Sequence, residues 1–295
     1  MPYPSFPELS FEFFPPSSTS ASLRLWRTVE RLAPLGPKFV SVTYGAGGTT
    51  RDRTYSAIMT IRDRARLNVA GHLTCVDATK VEVLDVANRY RAMGVKHIVA
   101  LRGDPPKGAA TFEAATGGFQ TGADLVEGLA ELGGFDISVA AYPEKHPEAT
   151  DIDADIANLK RKLDAGATRA ITQFFFDNAH FLRFRDRATK AGITAPIVPG
   201  ILPIENFEKM LGFAGRCNTS VPDWMHDAFS NAKSDGDREL LSTSICADQC
   251  DELTREGVEH LHFYTLNNPD ITYDVCRAIG VEPEAPSLAA SADVA

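Results

Sequence analysis

Short runs rich in β-branched and aromatic residues alternate with longer stretches of helical period from one end of the chain to the other. Eight such runs predict strands, over residues 9–14, 39–44, 69–75, 97–102, 137–141, 169–174, 197–201 and 260–265. Apolar positions at helical spacing follow the first seven and predict helices over 19–32, 51–64, 81–93, 123–131, 153–164, 179–190 and 204–213. Gly94, Gly166 and Gly192 each close a helical stretch just before a strand, as a left-handed C-terminal cap requires. Such alternation implies parallel strands with right-handed crossovers, and eight units suit a single closed α/β barrel of TIM type, (β/α)₈, better than an open sheet. Two segments break the rhythm. Residues 105–122, rich in Gly, Ala, Thr and Pro, read as a long loop after the fourth strand, where a barrel carries an active-site lid. Residues 216–237 hold Trp224, Met225 and Phe229 among polar neighbours and lead into a helix over 238–255, which makes a helical insertion before the last strand. The barrel is expected over 9–280, and the small, weakly hydrophobic residues 281–295 form an expected disordered tail.

Composition narrows the function. With 44% hydrophobic and 23% charged residues in 295, the chain can bury a sizeable core. Its formal charge, 30 − 39 = −9, argues against binding nucleic acid or an anionic membrane, so an anionic ligand needs a local basic pocket. No basic segment followed by an apolar run opens the chain, and no stretch approaches the roughly 20 apolar residues of a membrane span, so a soluble, cytoplasmic protein is expected. The five cysteines lack CxxC spacing and read as reduced thiols. Cys246 and Cys250 stand one helical turn apart, but without a second ligand pair they read as core residues rather than a metal site. No G-x-G-x-x-G opens a helix, which disfavours a dinucleotide-binding Rossmann domain.

In a barrel, functional groups sit at the C-terminal ends of strands. Glu12 is the one carboxylate in an otherwise apolar and aromatic first strand, where desolvation is expected to raise its pKa and keep a neutral acid able to give up a proton. A structural glutamate paired with an arginine fits the same local sequence. Arg102 and Asp104 flank Gly103 after the fourth strand, as ligand contacts or as an ion pair closing a turn. Tyr142 and His146 follow the fifth strand, and the next helix carries Asp155, Asn158 and Lys162. Asp155 and Lys162 share a helix face, lining either a cationic groove or a solvated surface. Gln173 ends the sixth strand before three phenylalanines that read as core. His72 and Thr43 are individually weak signals.

Taken together, the strings Phe11-Glu12-Phe13-Phe14-Pro15-Pro16, Val42-Thr43-Tyr44-Gly45, His72-Leu73-Thr74-Cys75, Leu101-Arg102-Gly103-Asp104, Ala141-Tyr142-Pro143-Glu144, Thr172-Gln173-Phe174-Phe175-Phe176-Asp177 and Pro199-Gly200-Ile201-Leu202-Pro203 closely resemble the bacterial methylenetetrahydrofolate reductase family, in order, over about 9–280. The resemblance implies a barrel that carries FAD and reduces 5,10-methylenetetrahydrofolate to 5-methyltetrahydrofolate, a methyl source for methionine synthesis. NADH is the implied electron donor, with NADPH as the alternative, in a ping-pong mechanism at one flavin face. By position it implies that Thr43, His72, Arg102, Gly103, Asp104, Tyr142, His146, Asp155, Asn158 and Lys162 bind FAD. It makes Glu12 the general acid that opens the methylene bridge to an iminium ion, and Asp104 a catalytic carboxylate near the flavin pyrimidine edge. Gln173 becomes a folate-binding amide and Phe213 an aromatic residue against either substrate. The chain departs from the pattern at Asn268, where close relatives place an arginine for the folate tail, and at Lys209, where they place a glutamine, so Lys209 is expected to supply the missing cation. Its partners are then small molecules, with a homo-oligomer compatible. Another barrel flavoprotein, or a folate-binding protein without turnover, remains as the alternative.

Overall fold

The computed structural model describes residues 6–45, 50–105 and 112–284. Nine short strands, all parallel, make one sheet: β1 (Glu8–Phe13), β2 (Phe39–Val42), β3 (Val69–Thr74), β4 (His97–Leu101), β5 (Asp136–Ala141), β6 (Arg169–Thr172), β7 (Ile197–Val198), β8 (Gly200–Ile201) and β9 (His260–Tyr264). Neighbours follow sequence order from β1 to β7, and β9 returns beside β1 with Ser10 opposite His262. The seventh expected strand is two pieces because Pro199 has no N–H to give a ladder. Its first piece pairs with β6 and its second with β9, which closes the sheet into the expected (β/α)₈ barrel.

Closure is tight at that seam. Gly200 N–H donates to Thr172 Oγ1 at 2.9 Å, and the Tyr264 hydroxyl donates to the Thr172 carbonyl at 2.6 Å. A Cβ on Gly200 would collide with that carbonyl oxygen and stand 2.5 Å from the Tyr264 ring, so only glycine lets the three backbones meet.

The helices ring the barrel as α1 (Thr19–Leu32), α2 (Arg51–Thr60), α3 (Lys80–Ala92), α4 (Gly122–Leu132), α5 (Ile152–Asp164), α6 (Asn178–Lys190), α7 (Phe207–Cys217), α8 (Asp223–Asn231), α9 (Asp235–Arg255) and α10 (Asp270–Ala278). Leu9, Phe11 and Phe13 of β1 and Leu261 and Phe263 of β9 face outward into the main core with these helices. Phe39, Ala70, Val99, Ile171 and Val198 make a separate apolar cluster. Cys246 and Cys250 are buried in the main core on α9, and Phe174 and Phe175 are buried while Phe176 is half-buried. Among the described residues no helix is long and apolar enough to cross a membrane.

The structure corrects several expected boundaries. Most strands end one or two residues early, which leaves Thr43, Cys75, Arg102, Gln173 and Thr265 as loop residues at the barrel mouth. The second helix gives way at Ile61–Ala65 to a π-helical turn. The helix expected over 204–213 starts at Phe207, because Asn206 caps it by accepting from Lys209 N at 2.9 Å. The insertion contains a separate helix, α8, and α9 begins at Asp235 because Ser234 and Asp237 form a capping box. α10 lies outside the expected helices. The first residues of the expected tail are ordered: Val281 is buried and Glu284 N donates to the Pro34 carbonyl at 2.6 Å. The rest of that tail, 285–295, and residues 106–111 of the expected long loop lie outside the described residues.

The seam yields a direct test. Gly200→Ala must push the Thr172 carbonyl or the Tyr264 ring aside, and overpacking of this kind typically costs about 1–3 kcal/mol or more. Urea unfolding followed by circular dichroism is expected to show a loss in that range, and an unchanged midpoint would mean the seam is looser than the backbone spacing indicates.

Candidate active site

The ends of β4 and β5 and the start of α5 surround a groove of about 470 Å³ at the C-terminal mouth of the barrel. Of the ten candidate cofactor residues, Arg102, Gly103, Asp104, Tyr142, His146, Asp155, Asn158 and Lys162 line it, whereas Thr43 and His72 do not. Gly103 holds φ at +90°, and a Cβ there would meet Val76 Cγ1 at 2.5 Å, so glycine is required for the turn that follows β4. Tyr142 and His146 meet edge to face, with ring centres 4.6 Å apart. His146 N donates to Asp155 Oδ2 at 2.8 Å, which ties the β5 loop to α5.

Charge in the groove is distributed differently from the local sequence reading. Arg102 does not pair with Asp104. Its guanidinium grips Glu148 through two bonds of 2.7 Å, a fork that raises the arginine's pKa and lowers the carboxylate's. An incoming anion must therefore displace Glu148 to use Arg102. Lys162 is the freer cation. It is buried, donates to the Ala140 carbonyl at 2.6 Å, and forms no ion pair within 4 Å among the described residues, although Asp155 shares its helix face. Burial holds its ammonium down at about 8, partly offset by Asp155. Burial likewise raises the Tyr142 phenol, helped by Asp155 and Asp104.

Glu12 stands at the end of β1 beside this groove but not in it. Its side chain is 15% exposed and faces two imidazoles, His72 Nε2 at 3.2 Å and His262 Nε2 at 3.8 Å. The expectation of a raised pKa is thereby corrected. Burial does push the carboxyl up, but the charge of His72 and the hydrogen bonds and charge of the paired imidazoles outweigh it and hold Glu12 down at about 2. The pair is fixed from behind. His262 Nδ1 meets Ser10 Oγ at 2.7 Å, and the same oxygen meets His260 Nε2 at 2.9 Å, a polar file in a barrel interior that is usually apolar. The Tyr90 hydroxyl, donating to the His72 carbonyl at 2.9 Å, anchors the other imidazole's backbone.

The remaining candidates sit around the same mouth. Gln173 follows β6, with Oε1 accepting from Phe174 N at 3.1 Å. Thr43 follows β2, where its N–H donates to the Phe13 carbonyl at 3.0 Å. Lys209 and Phe213 are exposed one turn apart on α7, and Arg216 stacks on the Phe213 ring at 4.7 Å. Asn268 follows β9, adjoining Asn267, whose side chain bonds both backbone groups of Phe14 at 2.9 Å and so holds the end of β1. Sequence reasoning missed Ser10, Glu148, His260, His262 and Tyr264 as parts of the site. The alternation His260-Leu261-His262-Phe263-Tyr264 is the signal that could have found three of them, since a period of two puts those polar groups on one strand face.

A parallel barrel whose strand ends present a charge-lined groove next to a buried carboxylate belongs to the class of (β/α)₈ barrels that bind small molecules at that mouth. The methylenetetrahydrofolate reductase family model matches residues 5–280, and the chain belongs to that family. It is 50% identical over 277 residues to the 5,10-methylenetetrahydrofolate reductase of Pectobacterium carotovorum subsp. carotovorum, covering 94% of this chain and 91% of that one. Against the enzyme of the same name from Escherichia coli (strain K12) it is 50% identical over 276 residues, covering 93% and 91%. In fold it is similar to an uncharacterized protein from Clostridium thermocellum that binds two copies of 5-methyl-5,6,7,8-tetrahydrofolic acid, with a TM-score of 0.62 at 15% identity over 93% of this chain and 95% of that one.

The Glu12 cluster makes a pH prediction. A carboxyl lowered from 4.5 to about 2 stabilises the folded state by about 3 kcal/mol once pH exceeds the unfolded value, and that contribution is lost as pH falls from about 4.5 through about 2. The gap in unfolding free energy between wild type and Glu12→Gln is expected to be largest near pH 6 and to shrink as the pH is lowered through that window. A gap that stays constant from pH 6 to pH 3 would mean the imidazoles do not hold the carboxylate.

Proposed function

We propose that this chain reduces 5,10-methylenetetrahydrofolate to 5-methyltetrahydrofolate, with bound FAD and with NADH as electron donor, the two substrates using one mouth of the barrel in turn. Residues 9–280 act as the single catalytic unit. Family membership supports the reaction, and the arrangement of Glu12 and its two imidazoles beside the charge-lined groove carries the mechanism.

The groove fits FAD. It combines a desolvated cation with spare N–H groups, Lys162, with an exchangeable one, Arg102, and an aromatic pair, Tyr142 and His146. Thr74, on its wall, keeps a buried hydroxyl without a partner among the described residues. These residues, with Gly103, Asp104, Asp155 and Asn158, would hold the cofactor. FAD, when bound, supplies the passage of a hydride between two substrates that never meet.

The reaction consumes one hydride and one proton for each folate reduced. The proton is the protein's contribution. Glu12 rests as a carboxylate in the free site, so the proton it passes on belongs to the Glu12, His72 and His262 cluster as a unit. It is delivered to a folate nitrogen as the methylene bridge opens, and the low dielectric of the buried pair favours transfer to the leaving amine over leakage to water. Asp104, after β4, is the catalytic carboxylate near the flavin pyrimidine edge, and Gln173, two strands along after β6, binds the folate as an amide. Phe213 packs against either substrate, and Lys209, one turn away, supplies charge for the folate tail in place of the arginine absent at Asn268.

Glu12→Gln tests this assignment. The amide keeps the size but carries no transferable proton, so reduction of the flavin by NADH in anaerobic stopped flow is expected near the wild-type rate. Reoxidation by methylenetetrahydrofolate should slow by roughly 10²- to 10⁴-fold. Equal slowing of both half-reactions would make Glu12 a structural residue, and no slowing would place the acid elsewhere.

Lys162 gives a second test. Its ammonium, lowered to about 8, is charged below that pH and binds an anionic cofactor there. Above it, binding must also take up a proton, so affinity falls as pH rises. Flavin fluorescence titration is expected to show FAD affinity dropping between pH 8 and 10 in wild type. In Lys162→Ala the affinity should be lower by about 1.5–3 kcal/mol and flat across that range. A wild-type affinity independent of pH would remove Lys162 from the cofactor site.

A further inference from the structure

At the opposite end of the barrel, the starts of β2, β3, β4 and β6 surround a second cavity of about 560 Å³. Lys38, Arg62, Arg66, Lys96 and Arg169 turn onto it, against a single lining carboxylate among the described residues, Asp136. Asp136 is already taken by Arg169 at 2.6 Å, and Lys38 is taken by Glu8. Arg62, Arg66 and Lys96 enter no ion pair among the described residues. On a chain of net charge −9 this is a concentrated patch of uncompensated positive charge.

The backbone here is shaped around those cations. The π-helical turn Ile61–Ala65 carries Arg62, and Arg66 closes it in the left-handed region at φ +54°, a conformation rare for a side chain of that size. Gly94, at φ +73°, lets the Arg62 guanidinium lie against the backbone, where a Cβ would stand 2.7 Å from Nη1. That Nη1 is shut off from solvent and has no acceptor among the described residues. A buried N–H donor left unsatisfied is a cost, and an acceptor entering the cavity would remove it. His97, on the same wall, is kept neutral by burial and by the neighbouring Arg169, although Asp136 opposes this, so the positive charge here comes from the arginines and lysines.

We infer that this cavity is a binding site for a small polyvalent phosphate, a pyrophosphate or phosphate ester, separate from the groove at the barrel mouth. Guanidinium forks match phosphate oxygens in pairs, and Lys96 adds a mobile point charge at the rim. The cavity volume admits such a ligand and its substituent. The site stands independently of the reaction proposed above.

Calorimetric titration of the purified protein with inorganic pyrophosphate at low ionic strength tests it. Because the mouth also holds cations, the location is read from two variants. Arg66→Gln with Lys96→Gln, both exposed and expected to fold normally, should weaken binding by about 100-fold, about tenfold for each charge-assisted hydrogen bond removed. Lys162→Ala should leave binding at this site unchanged, and Arg62→Gln should weaken it by at least the same tenfold. Absence of binding by wild type, or binding abolished by Lys162→Ala and indifferent to Arg66→Gln with Lys96→Gln, would overturn the site. Citrate binding as tightly as pyrophosphate would overturn the phosphate assignment.

Discussion

Everything at the barrel mouth depends on keeping one carboxylate, Glu12, ionised inside a closed sheet. Burial by itself opposes that state, and the two imidazoles from β3 and β9 reverse it. Their positions are set by strand pairing, since Glu12 lies opposite Tyr264 in the β1/β9 ladder and opposite Ser41 in the β1/β2 ladder. The carboxylate can be held only if the barrel closes in this register. A one-residue slip would send Glu12 into the helix layer and bring Phe13 inward. Closure at Gly200, the Asn267 clasp on Phe14 and the Ser10 and His260 file behind His262 all enforce that register.

The groove shows the complementary device, a cation kept without a carboxylate. Lys162 is buried beside Asp155 but not paired with it, so its charge is raised in energy and free for a ligand. Arg102 is arranged the other way. Its fork on Glu148 satisfies the guanidinium until an anion with better geometry arrives. One cation is ready and the other is exchangeable, an arrangement by which a protein of net negative charge can offer positive charge to an anionic ligand without leaving two desolvated cations exposed to each other in its absence.

How much of this was legible in the sequence follows from which interactions are local. Helix α1 matches its expected span because Ser18 caps it and its apolar positions recur at helical spacing. α10 escaped because it is nine residues long and enters from Pro269 without a side-chain cap. The groove residues were readable as candidates because each follows a strand, and strand ends are where barrels place polar groups. The charge state of Glu12 was not readable, because its partners lie 60 and 250 positions away and only the ladder brings them together. The same holds for Arg102: local sequence offered Asp104, while the fold supplied Glu148 from the next loop.

The interior file of Ser10, His260 and His262 replaces apolar layers that would stabilise a barrel of this size more cheaply. Its members satisfy one another through Ser10 Oγ, so the cost of burying them falls mainly on the Nε2 atoms of His72 and His262 that face Glu12. Those two nitrogens face the Glu12 carboxylate, whose negative charge offsets that cost. Removing the file for greater stability would take His262 from the carboxylate and leave His72 as its one facing imidazole among the described residues, so the Glu12 pKa would rise. The barrel therefore retains polar side chains where packing would exclude them, because the protonation state of a single residue at its mouth depends on them.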